Sequence, residues 1–506
     1  MNQSFPRLAA LGVLALAASA SIFAGCGDDD DDSGNQPQAG TGGVGGKAGS
    51  GGTAGSPAGA GGAGGTAGSG GLDPCVGIAL CERISPSMSE KDIKEKFILA
   101  TEGTVLAFEA GTYRFLTQLS LTTKGVTVRG AGRAETILDF KIDAAAVAGP
   151  GGGSGAGGSG PGGASEAILV TGQADNFVIE HLSVRDSVGD AIKVLGRTNV
   201  TFRDVGVSWT GVNATEHGAY GLYPVQCTDV LIEDSEVSGA SDAGIYVGQS
   251  NRVVVRRNYA TKNVAGIEIE NTTSADVYEN TAEGNTGGLL VFSLPGLEVE
   301  NGGNVRAYNN KLIANNENNF APPGNIVGLI PAGTGAFVMA NHDVEFFGNE
   351  FKDNKTTQFA VISYLVAERP DYLDHPNYAP FPTKVYAHNN TFAGGGTAPD
   401  ASQVDGIGIL LSLGASIGKL PSPLPPLMID GILPTPPPAG PNPLQLCFSA
   451  NTGATGANSF ANLRLDTLKR DELPTFPSWL PELEPAPYVC TLPALPAVSI
   501  PQITAP

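Results

Sequence analysis

Four glycines mark out a ruler in the middle of this chain. Gly221, Gly244, Gly266 and Gly288 are separated by 23, 22 and 22 residues. The last three open near-copies of one apolar strand: Gly244-Ile245-Tyr246-Val247, Gly266-Ile267-Glu268-Ile269 and Gly288-Leu289-Leu290-Val291. A second column keeps step, with VVVRRN (253–258) aligned to ADVYEN (275–280) and continued as VRAYNN (305–310), VEFFGN (344–349) and VYAHNN (385–390). Earlier turns read FVIEHL (177–182), VTFRDV (200–205) and VLIEDS (230–235). A period in the low twenties is too short for a pair of helices and fits a solenoid of short strands. One repeat is then one coil of a parallel β-helix, with like residues stacked about 4.8 Å apart. Alternation along each strand predicts that Ile267, Ile269, Leu289 and Val291 fill the interior and that Glu268 and Glu270 point out. The column Asn258, Asn280, Asn310, Asn349 and Asn390 reads as a structural corner ladder, since Asn tolerates left-handed geometry and stacked amides bond along the axis.

The ends of the repeat fit this reading. SEKDIKEKFILATEG (89–103) has a helical pattern with Ser89 as N-cap, and would cover the first open coil. A Gly-rich insertion occupies 149–163, and longer loops are expected at 292–304, 316–334 and 365–384. Beyond about 416 the stretch LPSPLPPLMIDGILPTPPPAGPNP is too rich in proline to continue a sheet; residues 416–506 are expected to wrap the last coil or one side and so blunt an exposed edge. The expected fold class is all-β, a parallel β-helix over 73–415 with an N-terminal cap helix and a Pro-rich C-terminal wrap.

The N-terminus has a different logic. Residues 1–25 carry Arg7, then an apolar run ending in small residues before Cys26, as in a secretory signal. Ala24-Gly25-Cys26 resembles a bacterial lipobox, with Phe23 where Leu is usual, which implies lipidation at Cys26. Residues 26–72, acidic at Asp28–Asp32 and then Gly/Ala/Ser/Thr-rich, form a flexible tether. The chain is therefore expected to be exported and membrane-anchored, on the periplasmic face or the outer-membrane surface. A formal charge of −21 argues against nucleic acid as a partner. Five cysteines remain after Cys26. Two disulfides are expected in an oxidising compartment, Cys75 lying near Cys81 and Cys447 and Cys490 bracketing the C-terminal region, with Cys227 left as a buried thiol. No Cys/His cluster has zinc spacing.

The strings AGTY, GVTVRGAG and TILDF within 103–140, after the cap helix, resemble the opening of pectin-lyase-like right-handed β-helix proteins. The segments 220–272 and 285–297 resemble a family of exported bacterial β-helix proteins, often lipoproteins, of unassigned activity. The resemblance implies a right-handed β-helix and, by class, polysaccharide lyase, epimerase or hydrolase chemistry, or plain binding. One comparison goes residue by residue. Mannuronan C5-epimerases carry Tyr-Gly-Phe-Asp-Pro-His on one coil and a Lys on the coil before. Tyr220-Gly221-Leu222-Tyr223-Pro224-Val225 stands in that place, with Lys193 on the preceding coil. The Tyr, Gly, Pro and Lys correspond; Tyr223 replaces the Asp and Val225 the His, so two groups of the epimerase site are missing.

By the same register Lys193, Tyr223, Tyr246, Glu268 and Leu290 form one outward column, extended by Phe337. As an exposed groove it suits an acidic glycan: Tyr220, Tyr223 and Tyr246 to stack on sugars, Lys193 to neutralise a uronate or take a proton, Tyr220 as its acid/base partner, and Glu268 with Asp242 as a carboxylate pair for hydrolysis. His217, in the loop before Tyr220, is a further acid/base candidate. Asp190, Asp242 and Glu270 complete the substrate-binding set. No cofactor is required; Asp186, Asp190 and Asp242 lie in turns of the kind that bind Ca²⁺ in pectate-lyase-like sites. The alternative is a non-catalytic cell-envelope lipoprotein that binds a glycan or a protein.

Overall fold

The computed structural model describes residues 75–141, 166–402, 406–454, 459–469, 471–472 and 475–501. The signal, Cys26, the tether and the Gly-rich insertion lie outside the described residues.

Helix α1 (Glu90–Leu99) forms where the capping pattern placed it: the Ser89 hydroxyl accepts the backbone N–H of Asp92 at 3.2 Å. Its apolar side buries Ile93 and Phe97, and Phe97 meets Phe108 edge-on at 6.2 Å, closing the first coil. Thereafter the chain winds in coils of three strands. Ala243–Gly248, Asn251–Arg256 and Tyr259–Thr261 make one coil; Ala265–Glu270, Thr273–Tyr278 and Thr281–Glu283 make the next. Each strand pairs in parallel with its counterpart one coil on, Ile245 with Ile267 with Leu289, and Val253 with Ala275 with Val305. First strands build an eleven-stranded sheet I; second and third strands join in a twenty-stranded sheet II. Ile267, Ile269, Leu289 and Val291 are buried in the bore as expected.

The repeating glycines follow from how tightly the coils stack. A Cβ at Gly244 would lie 2.7 Å from Asn263 Nδ2, and one at Gly266 would lie 2.7 Å from the carbonyl oxygen of Gly288. The Asn column is a continuous ladder running from Asn258 to Asn451. Each backbone N–H donates to the next Oδ1 at 2.9–3.0 Å, and each Nδ2 donates to the same oxygen at 2.9–3.1 Å. The left-handed residue is not the ladder Asn but the one before it: Arg257, Glu279, Asn309 and Asn389 have φ of 53–57°. A second ladder, Asn263, Asn285, Asn315 and Asn354, runs beneath the glycines and was not anticipated.

The expected end of the β-helix at 415 is too early. Leu427–Ile429 pairs with Thr357–Ile362, Phe460–Asn462 pairs with Leu427–Ile429, and Leu446–Ser449 pairs with Thr383–His388. The prolines flank these strands rather than interrupt them, and Pro426, which has no N–H, still accepts from Phe359 N through its carbonyl at 3.0 Å. Helix α2 (Ile407–Ser416) packs with Trp479 and Phe476 over Met428 and Ala461. The final segment does wrap: Leu495 N–H donates to Glu345 and Val498 N–H to Asp276, so the tail runs back over the outer face of sheet II. Cys75 is bonded to Cys81 and Cys447 to Cys490, with Cys227 free and buried.

Candidate acid-lined site on sheet I

Seven successive strands of sheet I carry the site: β1 (Ile192–Leu195), β2 (Tyr220–Val225), β3 (Ala243–Gly248), β4 (Ala265–Glu270), β5 (Gly287–Phe292), β6 (Thr334–Met339) and β7 (Thr357–Ile362). Register puts Lys193 beside Tyr223, Tyr246 beside Glu268, and Glu268 in line with Leu290, Phe337 and Ala360. The expected single file is present. An open groove is not. Tyr246 is 5% exposed and Glu268 2%. Loops leaving both ends of the strands fold over the face and bring Val327, Ile330, Tyr364 and Tyr378 against Tyr246, Leu290 and Phe292 in a second apolar core. The correction has a physical reason: three tyrosines and a run of apolar outward residues form too large a patch to leave in water, and the inserted loops supply the cover.

Under the cover is a cavity of about 180 Å³. Tyr220, Asp242, Glu268 and Glu270 form its polar end; the remainder is almost wholly apolar, including Phe292, Ile330, Phe337, Ile362 and Leu411. Burial and the neighbouring Glu270 lift Asp242 to about 7, against hydrogen bonds from Tyr220 and Asn325. Burial lifts Glu270 to about 7, opposed by the Tyr246 hydroxyl. Burial, then Asp242 and Glu270, push Glu268 well above the usual carboxyl range. Glu268 Oε1 and Thr357 Oγ1 are buried without a hydrogen-bond partner. Both residues line the cavity.

The tyrosines come together: the rings of Tyr220, Tyr223 and Tyr246 lie 4.6–4.8 Å apart. The proposed Lys193–Tyr220 acid/base couple does not form. Lys193 Nζ lies 3.2 Å from Glu166 and 3.7 Å from Asp190, over the Tyr223 ring at 4.9 Å, while the Tyr220 hydroxyl donates to Asp242 at 3.3 Å. The lysine is already neutralised, so it is not a free cation for a uronate. Burial raises Asp190 to about 6 even with Lys193 opposing. His217 is not in the groove: its ring nitrogens sit 2.7 Å from the Gly239 carbonyl and 3.0 Å from that of Gly211, and its ring stacks on Trp209. Asp186 is spent on the turn, accepting the Thr210 hydroxyl at 2.6 Å. Among the described residues no three His, Cys, Asp or Glu side chains group as a metal site. Sequence reasoning missed Glu166, Asn325 and Thr357. For Asn325 a signal existed, because the loop that carries it also holds Phe320, Ile326, Val327 and Ile330 and is too apolar to stay in solvent.

Stacked parallel coils with an acid-lined cavity on one flank define the class: this is a right-handed parallel β-helix protein, as the pectin-lyase-like resemblance implied. Residues 205–365 match the family described as right handed beta helix region. Solved structures similar to the chain include the A-module of a mannuronan C-5 epimerase from Azotobacter vinelandii, 14% identical, covering 69% of this chain and 86% of that one with a TM-score of 0.41. An alginate lyase from Paenibacillus sp. is 16% identical over 62% of this chain and 94% of that one, TM-score 0.33. The catalytic unit of a GH87 α-1,3-glucanase from Streptomyces thermodiastaticus is 13% identical over 69% and 50%, TM-score 0.38. These proteins are named for actions on polysaccharides; likenesses this distant say nothing of what this chain does. No curated protein sequence matches the chain.

Proposed function

We propose that this chain binds glycan at the flank marked by Tyr220, Tyr223 and Lys193 and acts on it with Asp242, Glu268 and Glu270 as acid–base groups. The observation that carries the reading is the burial of three carboxyls, from two adjacent coils, at the head of one cavity, with no Lys, Arg or His paired to any of them among the described residues. The places of Glu268 and Glu270 are not set by the coil. One step along the same two columns stand Leu290 and Phe292, then Phe337 and Met339, so hydrocarbon would serve the fold equally well. A carboxyl that keeps its proton near neutrality can give it to a glycosidic oxygen while an ionised neighbour takes one from the attacking water; perturbed titration in a cavity is a mark of a functional site. The cover restricts entry to a chain end or a short saccharide. The chain is further read as an exported protein held at the cell envelope by a lipid on Cys26, which loss of membrane-fraction recovery in Cys26→Ser would test.

The experiment is incubation of the purified protein with a panel of neutral, cationic and uronate glycans, followed by measurement of new reducing ends and of unsaturated products. Glu268→Gln and Asp242→Asn should each lower the rate at least 100-fold. A wild-type protein that turns over no glycan and retains none on an array overturns the proposal. The closed cover favours the second reading, a binder without turnover. Its mark is retention that survives Glu268→Gln and is lost in Tyr223→Ala.

A further inference from the structure

We infer that the cavity takes an organic cation with an apolar body: an ammonium group against Asp242, Glu268 and Glu270, and a hydrocarbon portion among Phe337, Ile362 and Leu411. The inference rests on the acid cluster being the binding end of the site, as proposed above, and names the chemistry of what binds there.

Three observations converge. First, Glu268 Oε1 has no partner although its residue is 2% exposed, and Thr357 Oγ1 is equally bare in the same lining. Unmade hydrogen bonds at buried polar atoms are expensive and rare, and here both belong to residues that line one cavity. An ammonium group offers donors and no acceptor, and a bare carboxyl oxygen, protonated or ionised, has lone pairs to accept one. Second, the sign of the charge is fixed. Glu268 is crowded by Asp242 and Glu270, and the nearby cation Lys193 is held by Glu166 and Asp190. A uronate would enter against three carboxyls with no free positive charge to meet it; an ammonium would relieve their mutual repulsion in a medium where such terms are large. Third, the cavity runs on from the acids into a lining of Phe, Ile, Leu and Met side chains supplied by β5 to β7, the covering loops and α2. Water gains nothing there, and a hydrocarbon portion gains by leaving water for it. Two sources share this chemistry: a free alkylamine, or an amino sugar bearing an apolar substituent.

Titration calorimetry on the full chain separates them, with each amphiphile kept below its micellar concentration. Octyl glucosaminide is expected to bind at least tenfold more tightly than octyl glucoside, octyl glucuronide not measurably, and methyl glucosaminide at least tenfold more weakly than the octyl compound. Equal binding of octyl glucosaminide and octyl glucoside overturns the ammonium assignment; equal binding of the methyl and octyl glucosaminides overturns the hydrocarbon one. Octylamine binding as tightly as octyl glucosaminide supports the inference and counts against the glycan reading, so the two fail separately. Glu268→Gln and, independently, Glu270→Gln should each shrink the preference for the amine over the neutral head by at least fivefold; an unchanged preference in both variants overturns the proposal.

Discussion

Replacing Glu270 by Gln should make the protein more stable in neutral solution, by an amount that grows with pH. Burial raises this carboxyl from 4.5 to about 7, with the Tyr246 hydroxyl opposing. Between those two values the unfolded chain has released a proton that the folded chain still holds, so stability falls as pH rises through the window. The penalty is absent below about pH 4.5 and fully present above about 7. A difference of about 2.5 on the pKa scale, at ~1.4 kcal/mol for each step of one, is about 3 kcal/mol. Gln keeps the shape and removes the charge. It also removes a repulsive neighbour from Asp242 and Glu268, and from Tyr220, Tyr223, Tyr246 and Tyr378, which all feel Glu270. Carboxyls of the opposite kind, Glu90 and Glu233, are held below their usual value by hydrogen bonds and nearby cations. They lose stability as pH falls and cancel in the difference between variant and wild type. Urea unfolding followed by circular dichroism from pH 4 to 8 gives that difference directly. It should be near zero at pH 4 and about 3 kcal/mol in favour of the variant at pH 8. A difference that does not vary with pH, or a variant less stable at pH 8, would refute the reasoning.

Two stability predictions concern the coil itself. Asn280→Ala removes the acceptor of the Asn258 backbone and side-chain N–H groups and the donor to the Val255 carbonyl and Asn310; with buried groups left bare on both sides it should cost about 3–6 kcal/mol in urea unfolding, at ~1–3 kcal/mol per bare group, and a loss below ~1 kcal/mol would show that the ladder is ornamental. Gly266→Ala puts a methyl 2.7 Å from the Gly288 carbonyl oxygen and should cost about 1–3 kcal/mol as overpacking, whereas Gly196→Ala, where a Cβ meets nothing within 4 Å, should cost less through space and only the strain of its positive φ.

The coil was legible because its signals are periodic and local. Gly244, Gly266 and Gly288 reveal the stacking; Ile267 and Ile269 reveal the bore; Ser89 announces the cap helix. Column membership on the outer face followed from the same spacing, so Lys193, Tyr223, Tyr246 and Glu268 were placed in file correctly. Solvent access to that file was not legible, because it depends on loops such as 316–334 whose own spacing carries no period and whose partners lie coils away. The roles of Lys193 and His217 depended on Glu166 and on the carbonyls of Gly211 and Gly239, contacts that no spacing announces. The strand at Leu427–Ile429 was hidden by the prolines around it: composition weighed against a sheet, while position allowed one.

The Asn ladder holds its bond lengths although its members stand 22, 30, 39, 41 and 61 residues apart along the chain. Corner geometry is thus indifferent to how much polypeptide leaves and returns between one rung and the next. Insertions can lengthen at the margins of sheet I without disturbing the rod, and each new excursion is free to roof over a different stretch of the same flank. A lineage built on such a scaffold can remodel what it admits by trading excursions, with the rungs acting as fixed registration marks for every version.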